Sequence, residues 1–109
     1  MNLISRIEEL ILISIWRLKD RAYGVAILEE LSRTTGKKWM TGSIYASLAR
    51  LLKQEFVIAV EGDPTPERGG RRKIYYEITG RGKKALGDLQ QIHAALWEGL
   101  PLFERGEKK

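Results

Sequence analysis

The spacing of apolar residues changes period at Glu55, and that change restricts the architectures open to this chain. Upstream, apolar positions recur every three or four residues, the repeat of a helix with one buried face. Downstream they alternate through residues 56–61, a short run rich in β-branched side chains, and again through residues 71–79. Between these runs, residues 62–70 contain Pro64, Pro66, Gly69 and Gly70, a hairpin loop. On the returning strand Ile74, Tyr76 and Ile78 are expected on one face, and Lys73, Tyr75 and Glu77 on the other. A lone two-stranded ribbon is marginal in water, so this one must pack on helices. The fold class is therefore mainly α (α+β): three helices, a hairpin and a terminal helix.

The helices differ in what they can bury. Residues 3–18 form the first, with Leu12, Ile13 and Trp16 lying outside its main stripe. A helix apolar on more than one side is usually covered on more than one side, here by its own domain and by a second subunit. Residues 23–34 form the second, with Ile27, Leu28 and Leu31 facing inward, Glu29 and Glu30 facing water, and Gly36 closing it. Lys37, Lys38 and Trp39 lead into the third helix, residues 41–54, for which Thr41 is the expected N-cap. Its buried stripe is Ile44, Leu48, Leu51 and Leu52. Its other face carries Ser43, Ala46, Ser47, Arg50 and Lys53, small at the start and basic further on. Such a helix fits a DNA major groove, where the N-terminal residues of a recognition helix touch base edges. The bland alternative is an ordinary amphipathic surface helix.

Charge supports the first reading. The formal net charge is +5, but residues 1–35 are neutral, residues 36–85 carry eleven basic and five acidic side chains, and residues 86–109 are net −1. The excess is concentrated around the third helix and the hairpin, whose tip holds Arg68, Arg71, Arg72 and Lys73. A concentrated basic segment favours a polyanionic partner; a loop charged only for solubility is the competing account. Thr79 can cap a final helix over residues 83–100, ended by Pro101 and followed by a polar tail. Its apolar residues, with His93 and Trp97 beside them, suit pairing with a second copy, or packing back on its own domain.

Other chemistries are disfavoured. There is no Cys, hence no disulfide, thiolate metal site or Cys nucleophile. His93, the only histidine, cannot anchor a two-histidine metal motif or a triad by itself, so an enzyme and a metal cofactor are not expected. The apolar run at residues 10–13 is far short of the roughly 20 residues that span a bilayer. Glu8 and Glu9 interrupt any secretion signal. A cytoplasmic location is expected.

In this order, Glu9-Leu10-Ile11-Leu12, Tyr23-Gly24, Gly42-Ser43-Ile44-Tyr45-Ala46-Ser47-Leu48-Ala49-Arg50-Leu51 and Gly69-Gly70-Arg71-Arg72-Lys73-Ile74-Tyr75-Tyr76-Glu77-Ile78-Thr79 resemble the PadR family of bacterial transcriptional regulators. The resemblance spans residues 8–90. It implies a winged helix-turn-helix over residues 1–82, a dimerisation helix over 83–100, and a tail over 101–109. It implies a homodimeric repressor of a palindromic operator in double-stranded DNA. Tyr23, Lys37, Lys38, Thr41, Gly42, Ser43, Tyr45, Ala46, Ser47 and Arg50 would then meet DNA, with Arg68, Arg71, Arg72 and Lys73 in the wing. Many members have Pro at the position of Ala46. The dimer interface would use Leu3, Ile7, Ile11, Leu89, Ile92, His93, Leu96, Trp97 and Leu100. Some relatives bind planar aromatic compounds at that interface, which makes Trp16 and Trp97 the residues for a small aromatic effector. The alternative is a winged helix that holds a partner protein and not DNA.

Overall fold

The computed structural model describes residues 4–64 and 72–103. Helices α1 (Arg6–Leu18), α2 (Gly24–Thr35) and α3 (Thr41–Lys53) precede strands β1 (Val57–Pro64) and β2 (Arg72–Ile78), and α4 (Gly80–Trp97) follows. The strands pair antiparallel, Val57 opposite Ile78 and Val60 opposite Tyr75. The ribbon is anchored at its base: the Tyr76 N–H donates to the Ala22 carbonyl at 2.8 Å, and Tyr23 bridges to Tyr75. This is a winged helix.

The core lies where α1, α2 and α3 meet the root of the ribbon. Ile11, Leu12 and Ile15 of α1, Ile27 and Leu31 of α2, and Ile44, Leu48 and Leu51 of α3 are almost wholly buried. Each such side chain contributes about 2 kcal/mol relative to exposure. Helix α1 is central, touching α2, α3, α4 and β2. That explains its second apolar side, and it corrects one expectation. Ile11 is 0 % exposed within a single chain, so it has nothing left to offer a second copy.

Helix α1 begins with Ser5, whose Oγ accepts from the Glu8 N–H at 3.2 Å while the Ser5 N–H donates to Glu8 Oε1 at 2.9 Å. This reciprocal cap satisfies two donors that the first turn would otherwise leave open. The start at Arg6 is later than the periodicity suggests, because the cap defines it. In α2, Gly36 takes the left-handed conformation (φ 72°) and its N–H closes on the Ser32 carbonyl, as expected of a C-terminal glycine. Glu30 does not face open water: Arg17 Nε and Arg33 Nη2 each donate to its Oε2 at 2.7 Å.

Helix α3 differs at both ends. Thr41 is already helical, and the N-cap is Met40, which supplies no side-chain acceptor. At the other end Glu55 has φ 65°. Its N–H donates to the Leu52 carbonyl and that of Phe56 to the Leu51 carbonyl, both at 3.0 Å, the paired bonds of a helix stop usually built with glycine. Strand β1 then continues to Pro64, so residues 62–64, read as loop, are strand; residues 65–71 lie outside the described residues. The alternation on β2 is partial: Tyr76 is buried, whereas Ile74 is 37 % exposed near the free end of the ribbon.

Thr79 caps α4, its Oγ1 accepting from the Gly82 N–H at 3.0 Å and donating to the Glu55 carbonyl at 2.7 Å. Gly82 stands where a capping carboxylate is usual for a steric reason. A Cβ there would run into the Phe56 carbonyl and Ile78, so α4 sits directly on the ribbon's root. The helix ends at Trp97, before Pro101: Glu98 turns extended and Gly99 has φ 79°. Leu89 is 8 % exposed, largely covered by its own chain, which corrects its assignment to a dimer face. Beyond it Leu96, Trp97, Leu100, Leu102 and Phe103 are exposed.

Candidate nucleic-acid interface

The exposed side of α3 begins with Thr41, Gly42 and Ser43, followed by Tyr45 and Ala46. No acidic residue stands in the first turn, and no side chain caps it. The first amides therefore point outward unsatisfied at the positive end of the helix dipole, an arrangement that favours anions. Lys37 and Lys38 lie just before this turn and are exposed. Their segment is fixed by Thr35, whose Oγ1 accepts from the Lys37 N–H at 3.3 Å and from Trp39 Nε1 at 3.0 Å.

Tyr45 is 45 % exposed, and its ring lies across Gly24, the first residue of α2. A side chain at Gly24 would occupy the space of the phenol. Around this contact is a cleft of about 140 Å³ whose walls include Tyr23, Gly24, Tyr45, Lys73 and Tyr76. It joins the start of α2, the outer face of α3 and the second strand of the wing. Tyr23 packs edge-on against Tyr75, ring centroids 5.6 Å apart, and the Lys73 ammonium sits 4.2 Å from the Tyr23 centroid. Arg72 Nη1 donates to the Gly62 carbonyl at 3.3 Å, across the ribbon. Burial pushes the Tyr76 phenol up from its ordinary pKa, and nearby Tyr45 adds to the effect, so the hydroxyl stays neutral.

Of the expected contact residues, Tyr23, Tyr45 and Lys73 thus line one cleft, while Lys37, Lys38, Thr41, Gly42, Ser43 and Ala46 are exposed on or just before the first turns of α3 and Arg72 adjoins Lys73 on the wing. Among the described residues Lys37, Lys38, Lys53, Arg72 and Lys73 make no ion pair. Arg68 and Arg71, with Gly69 and Gly70, lie outside the described residues, as does Leu3.

Two expectations change. Ser47 is 1 % exposed, buried in α3's inner face, and so cannot touch a base edge. Arg50 is committed within the chain: its Nε donates to Glu8 Oε2 at 3.0 Å and its Nη2 to Ser47 Oγ at 2.9 Å. Glu8, which the motif reading passed over, is 6 % exposed. Burial alone would raise its pKa, but the Ser5 N–H, the Arg50 guanidinium and the Ser5 hydroxyl outweigh it and hold the carboxyl below its ordinary value.

The remaining expected residues lie elsewhere. Trp16, 45 % exposed, borders a groove of about 340 Å³ between α1 and α4, together with Glu9, Ile13, Ile78, Lys83 and Leu86. The ammonium groups of Lys19 and Lys83 stand 4.4 and 4.9 Å from its ring centroid. Trp97 is not in that wall and packs edge-on with Phe103. Within one chain, therefore, the two tryptophans do not form a single site. Ile7, Ile92 and His93 are partly covered, and His93 Nε2 lies 3.0 Å from Glu9 Oε2, joining α4 to α1.

A buried three-helix core whose third helix has an uncapped entry, flanked by a basic ribbon, is the architecture of a winged helix-turn-helix. The sequence profile of the transcriptional regulator PadR-like family matches residues 11–88, and the chain belongs to that family. Among solved structures it is similar to a PadR family transcription regulator from Clostridium difficile, with 26 % identity over 84 % of this chain and 91 % of that one (TM-score 0.70). A PadR-like transcriptional regulator from Bacillus cereus shares 25 % identity over 82 % of each chain (TM-score 0.68). A putative transcriptional regulator from Thermoplasma acidophilum shares 28 % over 83 % and 84 % (TM-score 0.64). No curated protein sequence matches. The protein is accordingly a DNA-binding transcription regulator and not an enzyme. No helix among the described residues is long and apolar enough to cross a membrane.

Proposed function

We propose that this regulator is a cytoplasmic repressor that binds a palindromic operator as a homodimer. The observation that carries the reading is the open first turn of α3, free of acidic side chains and bordered by Lys37, Lys38 and the wing cations. The turn would enter a major groove with Thr41, Ser43 and Tyr45 nearest the bases, while Lys37, Lys38, Arg72 and Lys73 would hold phosphates. The exposed apolar end at Leu96, Trp97 and Leu100, continued by Leu102 and Phe103, supports a second copy as its cover. A two-fold pair of reading helices would meet half-sites about 34 Å apart. In this division of labour residues 1–82 read DNA and residues 83–100 assemble the dimer.

The groove beside Trp16 supports a small aromatic effector that releases the operator, with the indole in its wall and the ammonium groups of Lys19 and Lys83 over the ring. Selection of bound fragments from random duplex DNA, with light scattering on the free protein, tests the proposal. Recovery of an inverted repeat and a mass of two chains are expected. A monomer that enriches only single, asymmetric sites would refute it.

A further inference from the structure

We infer that Arg50 is a positioning residue and not a phosphate contact: with Glu8 it locks the angle at which α3 is offered to DNA. The inference rests on the DNA-binding reading above and concerns how that site is held. Four side chains form a continuous chain from the first turn of α1 to the middle of α3. Ser5 holds Glu8 through the cap, Glu8 Oε2 accepts from Arg50 Nε at 3.0 Å, and Arg50 Nη2 donates to the buried Ser47 Oγ at 2.9 Å. Both carboxylate oxygens are used, one for each helix. The Glu8 side chain is 8 % exposed, so its end of the link is largely kept from water, while Arg50 is half exposed.

This geometry uses one edge of the guanidinium for two directed bonds, which a lysine cannot reproduce because its ammonium is a single point charge. A phosphate contact would make no such demand; there lysine is a good substitute. The two roles also respond oppositely to loss of the Glu8 charge. If Arg50 served phosphates, Glu8→Gln would remove a competitor and a negative charge, and DNA would bind as tightly or more tightly. If Arg50 is a brace, Glu8→Gln keeps the α1 cap but weakens the hold on α3, and operator affinity falls despite the more favourable net charge.

The experiment measures affinity for the selected operator and for unrelated duplex at several salt concentrations, with wild type, Glu8→Gln and Arg50→Lys. Circular dichroism and melting establish that each variant is folded at the assay temperature. Arg50 lies half exposed, so Arg50→Lys supplies the answer should Glu8→Gln not fold. Both variants are expected to lose about tenfold in operator affinity, the scale of one misplaced base contact, with unrelated duplex binding and the salt slope unchanged. Operator affinity maintained or raised in Glu8→Gln, or an Arg50→Lys protein equal to wild type, overturns the inference. Wild-type protein that shows no salt-dependent duplex binding at all would instead overturn the DNA-binding reading, and the inference with it.

Discussion

Lys37 and Lys38 allow the proposed interface to be tested by counting charges. Both are exposed and unpaired among the described residues, and they stand within four residues of the first turn of α3. Replacing both with Gln removes two cations per chain, hence about four in the proposed dimer. If each neutralises one phosphate, each contributes about 0.9 to the slope of log affinity against log salt. The double variant should therefore have a slope shallower by about 3.6. Between 50 and 200 mM salt, a fourfold change, wild-type affinity should fall about 150-fold further than that of the variant. Fluorescence anisotropy on one operator fragment at five or six salt concentrations measures this directly. Both lysines lie away from the core, so the melting temperature should hold. A variant with reduced affinity but an unaltered slope would show that these side chains act through something other than phosphate charge, and the placement of α3 against the duplex would be wrong.

Three other substitutions or conditions probe the frame. Gly24→Ala should displace Tyr45, whose ring atoms stand as close as 2.6 Å to the site of the new methyl group. Operator affinity should drop about tenfold in anisotropy while stability changes by less than about 1 kcal/mol, since the phenol can swing outward. Glu55→Gly should stabilise the fold by about 1 kcal/mol, because φ 65° is costly for a residue with a Cβ, and raise the calorimetric melting temperature by about 4–8 °C. Acid should destabilise the protein. Hydrogen bonds from Arg17 and Arg33 hold the Glu30 carboxyl below its ordinary pKa, and Glu8 is also lowered. A folded-state pKa below the unfolded value means stability that is present above the ordinary carboxylate range, about 4.3, and lost as pH falls through the lowered values. Melting curves from pH 7 to 2.5 should show that loss, and Glu30→Gln should flatten it.

The inner face of α3 and the glycine stop of α2 could be read from spacing alone; the two strands of the ribbon could be too, but burial follows their alternation only in part. Ser47 shows where polarity misleads. It stands three residues after Ile44 and four before Leu51, on the buried stripe, and its hydroxyl is satisfied by Arg50. Spacing places it inside; residue type suggests outside. Glu8 repeats the lesson, three and four residues before the fully buried Ile11 and Leu12, and the Ser5-x-x-Glu8 pattern was a visible cap signature. Its pairing with Arg50 joins positions 42 residues apart and leaves no local trace. Thr41 was expected to cap on side-chain preference, yet the chain enters α3 one residue earlier. Ile11 and Leu96 look alike in the sequence, one sealed inside the chain and one 67 % exposed. Periodicity separates inner from outer faces, but it cannot say which molecule does the covering.

The bare contact at Gly82 turns α4 into a lever with its fulcrum at the root of the wing. From that pivot to Trp97 the helix runs fifteen residues, about 22 Å at 1.5 Å per residue. A tilt of only about 5° moves the far end by roughly 2 Å, and a far end held still passes the same rotation back to the ribbon. Any bulk added at residue 82 would loosen the fulcrum before it disturbed either arm.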